Sequence, residues 1–129
     1  MIVIHHNPDC GTSRNVLAAI EATWQPFEAI EYLKTGWTRP QLLGLFAAAD
    51  LTPREVLRVR KSPAVELGLT DESVTDEALL EAMVAHPILV NRPIVCSPKG
   101  VRLCRPSERV RELIDDIPDD FRKEDGTLL

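Results

Sequence analysis

The N-terminal quarter of the sequence alternates strand-like and helix-like segments around a turn that contains a cysteine. A β-branched run at residues 2–4 leads into a polar turn at residues 5–15. Apolar residues at helical spacing follow from residue 16, and we expect Trp24 to end this stripe in the core. Residues 26–32 alternate apolar and polar side chains, which predicts a second strand. Strands joined by a helix in this way are parallel with a right-handed crossover, so the segment predicts an α/β fold.

Cys10 lies in the turn, just before the helix predicted for residues 13–23. Thr12 and Ser13 both favour the N-cap position, so the Cys10 sulfur is expected beside the first helical turn. The free backbone N–H groups and the positive end of the helix dipole stabilise a negative charge at that place. Because the thiolate is the nucleophilic form of cysteine, Cys10 is a candidate catalytic residue.

The middle of the chain has the patterns of a helical insert at about residues 38–86. Thr38 and Thr52 are each followed by a proline within the first helical turn. Thr75 is followed by two acidic residues, which suit the start of a helix. We therefore expect each of these threonines to cap a helix.

The second half of the sequence predicts a hairpin and a closing helix. Residues 93–104 form the hairpin pattern, because Pro93 is tolerated at the start of a strand and a proline–glycine turn divides the segment. The last helix is expected over residues 107–118. A β-α-β half followed by a β-β-α half is the thioredoxin arrangement, an α/β fold with a four-stranded mixed sheet. In it, a cysteine begins the first helix and a cis proline precedes the third strand, which are the places of Cys10 and Pro93.

The length of 129 residues fits one domain, which we expect over residues 1–118, followed by a charged tail over 119–129 without regular structure. The formal net charge of −5 argues against a broad nucleic-acid surface, because such a surface is basic. The sequence has no apolar run as long as a membrane span and no signal-peptide core, so we expect a cytoplasmic protein that does not bind a membrane. Three cysteines without paired spacing favour neither a disulfide framework nor a zinc site.

Three motifs occur in order along the chain. They are HNPDCGTSRN at residues 6–15, HPILVNRPIV at 86–95 and LCRPSE at 103–108. Together they resemble the glutathione- and glutaredoxin-dependent arsenate reductases of the thioredoxin superfamily. The resemblance covers nearly the whole chain, and three motifs at fitting separations are far more specific than the cysteine turn alone.

In that family a single N-terminal cysteine attacks arsenate, and the resemblance assigns this role to Cys10. The three arginines that hold the oxyanion match Arg58, Arg92 and Arg105, and the histidine implicated in favouring the thiolate matches His6. Guanidinium groups suit such a site, because they form forked hydrogen bonds to tetrahedral oxyanions and stay cationic at any working pH. The resemblance further implies no metal and no tightly bound cofactor. It implies glutathione as a co-substrate and glutaredoxin as a partner in the reduction of arsenate to arsenite.

The sequence departs from the family pattern at two positions near the cysteine. His5 lies where the family often has tyrosine, and Asp9 places an acid directly before Cys10. An adjacent carboxylate should raise the pKa of the thiol unless it points to solvent. The third anion ligand also has an alternative, because Arg60 lies only two residues beyond Arg58. The spacing to the Leu-Gly-Leu segment that follows favours Arg58.

The four residues from Cys10 to Ser13 include no second cysteine, so thioredoxin-type dithiol chemistry is not available in the turn. Cys96 and Cys104 lie in predicted strands, and we expect both to be buried packing residues. Two alternative functions stay open. One is a redox-sensing transcriptional regulator of the same superfamily, and the other is a glutathione-dependent thiol reductase with a different substrate.

Overall fold

Four strands form one mixed sheet in the computed structural model, which describes residues 1–129. The strands are β1 (Ile2–His6), β2 (Phe27–Glu31), β3 (Ile94–Ser97) and β4 (Gly100–Leu103). Their order is β2-β1-β3-β4, with β1 parallel to β2 and antiparallel to β3, and with β3 antiparallel to β4. This topology confirms the predicted thioredoxin-like α/β class.

The chain divides into two compact units. One contains Met1–Glu31 together with Arg92–Leu129, and the other contains Tyr32–Asn91. The first unit holds the whole sheet, whereas the second unit includes the predicted insert at residues 38–86. No helix of either unit is long and apolar enough to cross a lipid bilayer.

The core of the first unit lies between the sheet, the helix α1 (Gly11–Glu21) and the segment that follows β4. Ile2 and Ile4 of β1 contribute to it from one face of the strand, as the two-residue period of a strand requires. The buried cluster consists of Ile2, Ile4, Val16, Ala19, Ile20, Val95, Cys104, Val110, Leu113, Ile114 and Ile117. Packing of α1 against this core determines the position of the turn between β1 and α1, which contains Cys10.

The predictions for Trp24 and for the closing helix are wrong. Trp24 is 93% exposed, because α1 ends at Glu21 and Trp24 lies in the following turn with a left-handed φ of 59°. The predicted helix over residues 107–118 is instead a short 3₁₀ helix, Ser107–Glu112. Its backbone hydrogen bonds have the 3₁₀ spacing: the Arg109 N–H donates to the Pro106 carbonyl at 3.1 Å, and the Leu113 N–H donates to the Val110 carbonyl at 3.0 Å.

The last residues of the chain are folded, although their sequence shows no periodicity. Within residues 121–129, which we call the C-terminal loop, Arg122 and Leu128 form an antiparallel bridge. The Leu129 N–H donates to the Phe121 carbonyl at 3.0 Å, and both of these side chains pack against the core of the first unit. The loop is therefore closed by backbone pairing and is anchored by its two apolar ends.

The second unit is helical. Its helices are α2 (Tyr32–Thr35), α3 (Arg39–Ala49), α4 (Pro53–Val56), α5 (Asp76–Ala85) and a 3₁₀ helix at Pro87–Leu89. Thr38, Thr52 and Thr75 cap α3, α4 and α5 with their hydroxyl groups, as predicted. Beyond α4 the chain pairs with the segment after α5: the Arg58 N–H donates to the Leu89 carbonyl at 2.7 Å. This pairing fixes the backbone at Arg58.

Candidate active site

Cys10 is the N-cap residue of α1 and is 7% exposed. Its N–H donates to the Asn7 carbonyl at 3.1 Å, and its own carbonyl accepts the Arg14 N–H at 2.9 Å. The helix therefore begins at Gly11, two residues earlier than the predicted start at Ser13. The sulfur lies beside the first helical turn, where unpaired N–H groups favour an anion.

Ser13 does not cap the helix, because its hydroxyl group is used elsewhere. The Ser13 Oγ accepts the Asn7 N–H at 3.0 Å and lies 2.7 Å from Nδ1 of His6. All three residues are buried. The Ser13 backbone N–H in turn donates to the Cys10 sulfur. Ser13 thus connects His6 to Cys10 through two different atoms.

Two arginine side chains of the first unit contact the Cys10 sulfur. The Arg105 Nη1 lies 3.7 Å from the Cys10 sulfur and donates to the Arg92 carbonyl at 3.1 Å. The Arg92 side chain also donates to the sulfur. Arg92 precedes β3 and Arg105 follows β4, and antiparallel pairing of these strands brings the two arginines to one end of the sheet. Both the Arg92–Pro93 and the Arg105–Pro106 peptide bonds are cis, the first as expected.

These neighbours shift the pKa of the Cys10 thiol. Burial alone would raise the pKa of Cys10. The hydrogen bond from the Ser13 backbone, the charge of Arg92 and the side-chain hydrogen bonds of Arg92 and Arg105 outweigh burial, so the pKa lies below its ordinary value. The exposed carboxylate of Asp9 does not reverse this result.

The pKa of the His6 ring lies below its ordinary value, which favours the neutral form. Burial lowers its pKa, and the nearby Arg14 lowers it further, while the carboxylates of Glu31 and Glu21 oppose the shift without reversing it. A neutral imidazole holds no charge that could stabilise a thiolate directly. The contact that His6 makes toward Cys10 runs through the hydroxyl group of Ser13.

Arg58 belongs to the second unit and is 7% exposed. Its Nε donates to the carbonyl of Arg60 at 2.8 Å, whereas Arg60 itself is exposed. Of the other cysteines, Cys104 is buried as expected, and burial raises its pKa to about 12. Cys96 is only half-buried, so the expectation of full burial is wrong for it, although burial also raises its pKa.

The sequence assigned no role in the site to Ser13 or Arg14. From the sequence, Ser13 is only a possible N-cap and the residue that replaces a second cysteine. The sequence signal for the role of Ser13 is its position three residues after the candidate nucleophile, because the backbone N–H groups of a first helical turn face the N-cap side chain. No group of three or more His, Cys, Asp and Glu side chains is arranged to hold a metal ion.

A model of the ArsC family matches residues 5–113. The chain belongs to the ArsC family. The arsenate reductase ArsI2 of Synechocystis sp. is 68% identical to it over 130 residues, which are 100% of this chain and 93% of the relative. The arsenate reductase of Escherichia coli K12 is 48% identical over 126 residues, which are 97% of this chain and 89% of the relative.

A solved structure of an arsenate reductase agrees with the fold. An arsenate reductase from Vibrio cholerae superimposes with a TM-score of 0.82 at 37% identity, covering 88% of this chain and 97% of that one. This likeness confirms both the predicted fold and the family that the three sequence motifs resemble.

Proposed function

We propose that this protein is an arsenate reductase whose nucleophile is the Cys10 thiolate. The observation that carries the proposal is the Cys10 sulfur at the start of α1, 3.7 Å from the Arg105 guanidinium, with a pKa below its ordinary value. A thiolate next to fixed cations can attack an anionic electrophile that would otherwise be repelled. Membership of the ArsC family, with arsenate reductases at 68% and 48% identity, supports arsenate as that electrophile.

Arg92 and Arg105 bind the substrate oxyanion in this proposal. Guanidinium groups that already lie at the sulfur position arsenic for attack and offset the charge on its oxygens. Arg58 is the third ligand by its match to the family pattern. Its burial favours it over the exposed Arg60, because a side chain fixed in one conformation loses less entropy when it binds an anion.

The reaction proceeds as a relay. The Cys10 sulfur forms a bond to arsenic, and one arsenic–oxygen bond breaks as water leaves. The glutathione thiol forms a second sulfur–arsenic bond, with loss of a second water. A glutaredoxin thiolate then attacks the glutathione sulfur, and the electron pair of the broken sulfur–arsenic bond reduces arsenic from the pentavalent to the trivalent state. Hydrolysis of the Cys10–arsenic bond releases arsenite, and glutaredoxin leaves as a mixed disulfide with glutathione.

His6 is a positioning residue in this relay. Its neutral ring holds the Ser13 hydroxyl group at 2.7 Å, and Ser13 holds the sulfur through its backbone N–H. Because the relay consumes thiols, it needs a compartment in which glutathione is reduced, and we place the protein in the cytoplasm for that reason. No tightly bound cofactor takes part in these steps.

Arsenite release from arsenate, with glutathione and glutaredoxin supplied, tests the proposal. We expect turnover by the wild type, none by Cys10→Ser, and near-normal turnover by Cys96→Ser, a matched control at a cysteine outside the site. A wild type without turnover would show that arsenate is not the substrate, as either alternative function requires. Turnover that survives in Cys10→Ser would exclude Cys10 as the nucleophile.

A second assay separates the two candidates for the third ligand. We expect Arg58→Ala to raise the KM for arsenate at least tenfold, since a charge-assisted hydrogen bond contributes about 1.5–3 kcal/mol. Arg60→Ala is the matched control and should leave KM near the wild-type value. The reverse result would assign the role to Arg60.

A further inference from the structure

The C-terminal loop reaches the helix that begins at Cys10. The Glu124 carboxylate accepts two hydrogen bonds from the Arg14 guanidinium, at 2.7 Å from Nε and 3.2 Å from Nη2. The Glu124 backbone N–H donates to the Asn15 side chain at 2.9 Å. The loop is thus joined to the first turns of α1 by a forked ion pair and by an independent third bond.

Arg14 transmits this contact to the turn before the helix. Its Nη1 donates to the Pro8 carbonyl at 2.8 Å, and Pro8 lies two residues before Cys10. The pair also lies over Gly11: a Cβ at this glycine would lie 3.6 Å from Arg14 Nη2 and 3.9 Å from Glu124 Oε2. Glu124 therefore fixes the guanidinium that holds the Cys10 turn.

The neighbouring residue of the loop reaches the other side of the site. The Lys123 Nζ donates to Glu108 Oε1 at 2.8 Å, and the same oxygen lies 3.2 Å from the Ser107 hydroxyl group. Glu108 and Ser107 begin the 3₁₀ helix that follows Arg105. Two consecutive residues of the loop thus contact the two segments that carry the sulfur and its arginine.

We propose that Lys123 and Glu124 are positioning residues, which hold the Cys10 turn and the Arg105 segment in the arrangement that brings the guanidinium to the sulfur. The proposal rests on the proposed function only in taking Cys10 as the reactive group. The loop then has two roles. Phe121 and Leu129 anchor it on the core, whereas the charged side chains of Lys123 and Glu124 align the site.

The ion pairs are too exposed for a role in stability alone. The Arg14 and Glu124 side chains are 44% and 51% exposed, and pairs of this kind contribute little to folding. The Lys123–Glu108 pair is less exposed, but one partner remains open to solvent. We therefore expect these ion pairs to affect the geometry of the site and not the melting temperature of the protein.

Paired neutral substitutions test the proposal, because they remove an ion pair without changing the net charge. We call the Lys123–Glu108 and Arg14–Glu124 ion pairs the two arms of the C-terminal loop. Glu108→Gln with Lys123→Met removes the first arm. The matched control is Lys99→Met with Asp115→Asn, which removes an ion pair at the turn between β3 and β4. This turn lies at the opposite end of the hairpin from Arg105. The readout is the rate of Cys10 alkylation by iodoacetamide as a function of pH, which needs neither arsenate nor glutaredoxin.

We expect the removed arm to raise the pH midpoint of alkylation and to lower the rate about threefold at pH values below it, since a shift of about half a pKa unit corresponds to that factor. Arg92 and Arg105 lower the pKa of Cys10, and the other charged groups on or against its turn are Arg14, Asp9 and Glu124; these substitutions alter none of the five. The reversed pair, Glu108→Lys with Lys123→Glu, should restore the wild-type midpoint. The control should not move it.

The second arm provides an independent measurement. Arg14→Gln with Glu124→Gln should increase amide hydrogen exchange at residues 9–11 above both the wild type and the hairpin control. A lower melting temperature with an unchanged alkylation midpoint and unchanged exchange would overturn the proposal. An equal shift in the hairpin control would overturn it as well. Failure of arsenate turnover in the wild type would affect only the proposed function.

Discussion

Removal of the Arg105 charge should raise the pKa of Cys10 by a calculable amount. The Nη1 to sulfur distance is 3.7 Å. Two unit charges at that separation attract each other by about 1 kcal/mol in a medium like water and by about 4 kcal/mol at an effective dielectric of about 20. These limits correspond to roughly one to three pKa units. Because Arg105 is half-buried and Arg92 remains beside the sulfur, we expect Arg105→Gln to raise the pKa by about one to two units.

The pH dependence of Cys10 alkylation measures this shift. Arg105→Lys retains the charge but loses the planar guanidinium, so its midpoint should lie between those of the wild type and Arg105→Gln. Arg109→Gln is the matched control, because that guanidinium pairs with Glu112 at 3.2 Å. If Arg105→Gln folds normally and keeps the wild-type midpoint, then Arg105 does not stabilise the thiolate, and the electrostatic account of the site is wrong.

Three further predictions concern the buried polar groups of the first unit. Burial lowers the pKa of His5 from 6.5 to about 4, so the unfolded chain binds more protons in that range. Stability should therefore fall by about 3 kcal/mol as the pH drops from 6.5 to 4, and urea unfolding of His5→Tyr should show a smaller loss. Ser13→Ala leaves the His6 ring and a backbone N–H without their buried partner, and thermal unfolding should show a cost of about 1–3 kcal/mol. Because the pKa of Cys104 is about 12, peptide mapping of Cys10→Ser should find Cys104 unmodified by iodoacetamide at neutral pH.

Each of these has a contrary outcome. Equal acid sensitivity of His5→Tyr and the wild type would mean that other groups cause the acid loss. A Ser13→Ala protein as stable as the wild type would mean that the two polar groups find new partners. Rapid modification of Cys104 would contradict its burial at 0% exposure.

Much of the fold follows from local patterns in the sequence. The β-branched run, the polar turn and the helical stripe predict β1, the turn and α1, because each depends on neighbours within a few residues. The caps at Thr38, Thr52 and Thr75 were predictable for the same reason. The exposure of Trp24 was not predictable. It depends on where α1 ends and on a left-handed turn, and the apolar stripe in the sequence indicates neither.

The candidate site divides in the same way. The sequence by itself determined that Cys10 begins a helix. It also determined that one arginine precedes the first strand of the predicted hairpin and another follows the second strand, so that antiparallel pairing brings both to its open end. Only the tertiary structure decided that Arg105 comes within 3.7 Å of the sulfur, that Ser13 connects His6 to it, and that the C-terminal loop contacts both sides of the site. Such contacts join residues up to 110 positions apart, and no local pattern encodes them, because they arise only when separate segments pack on one core.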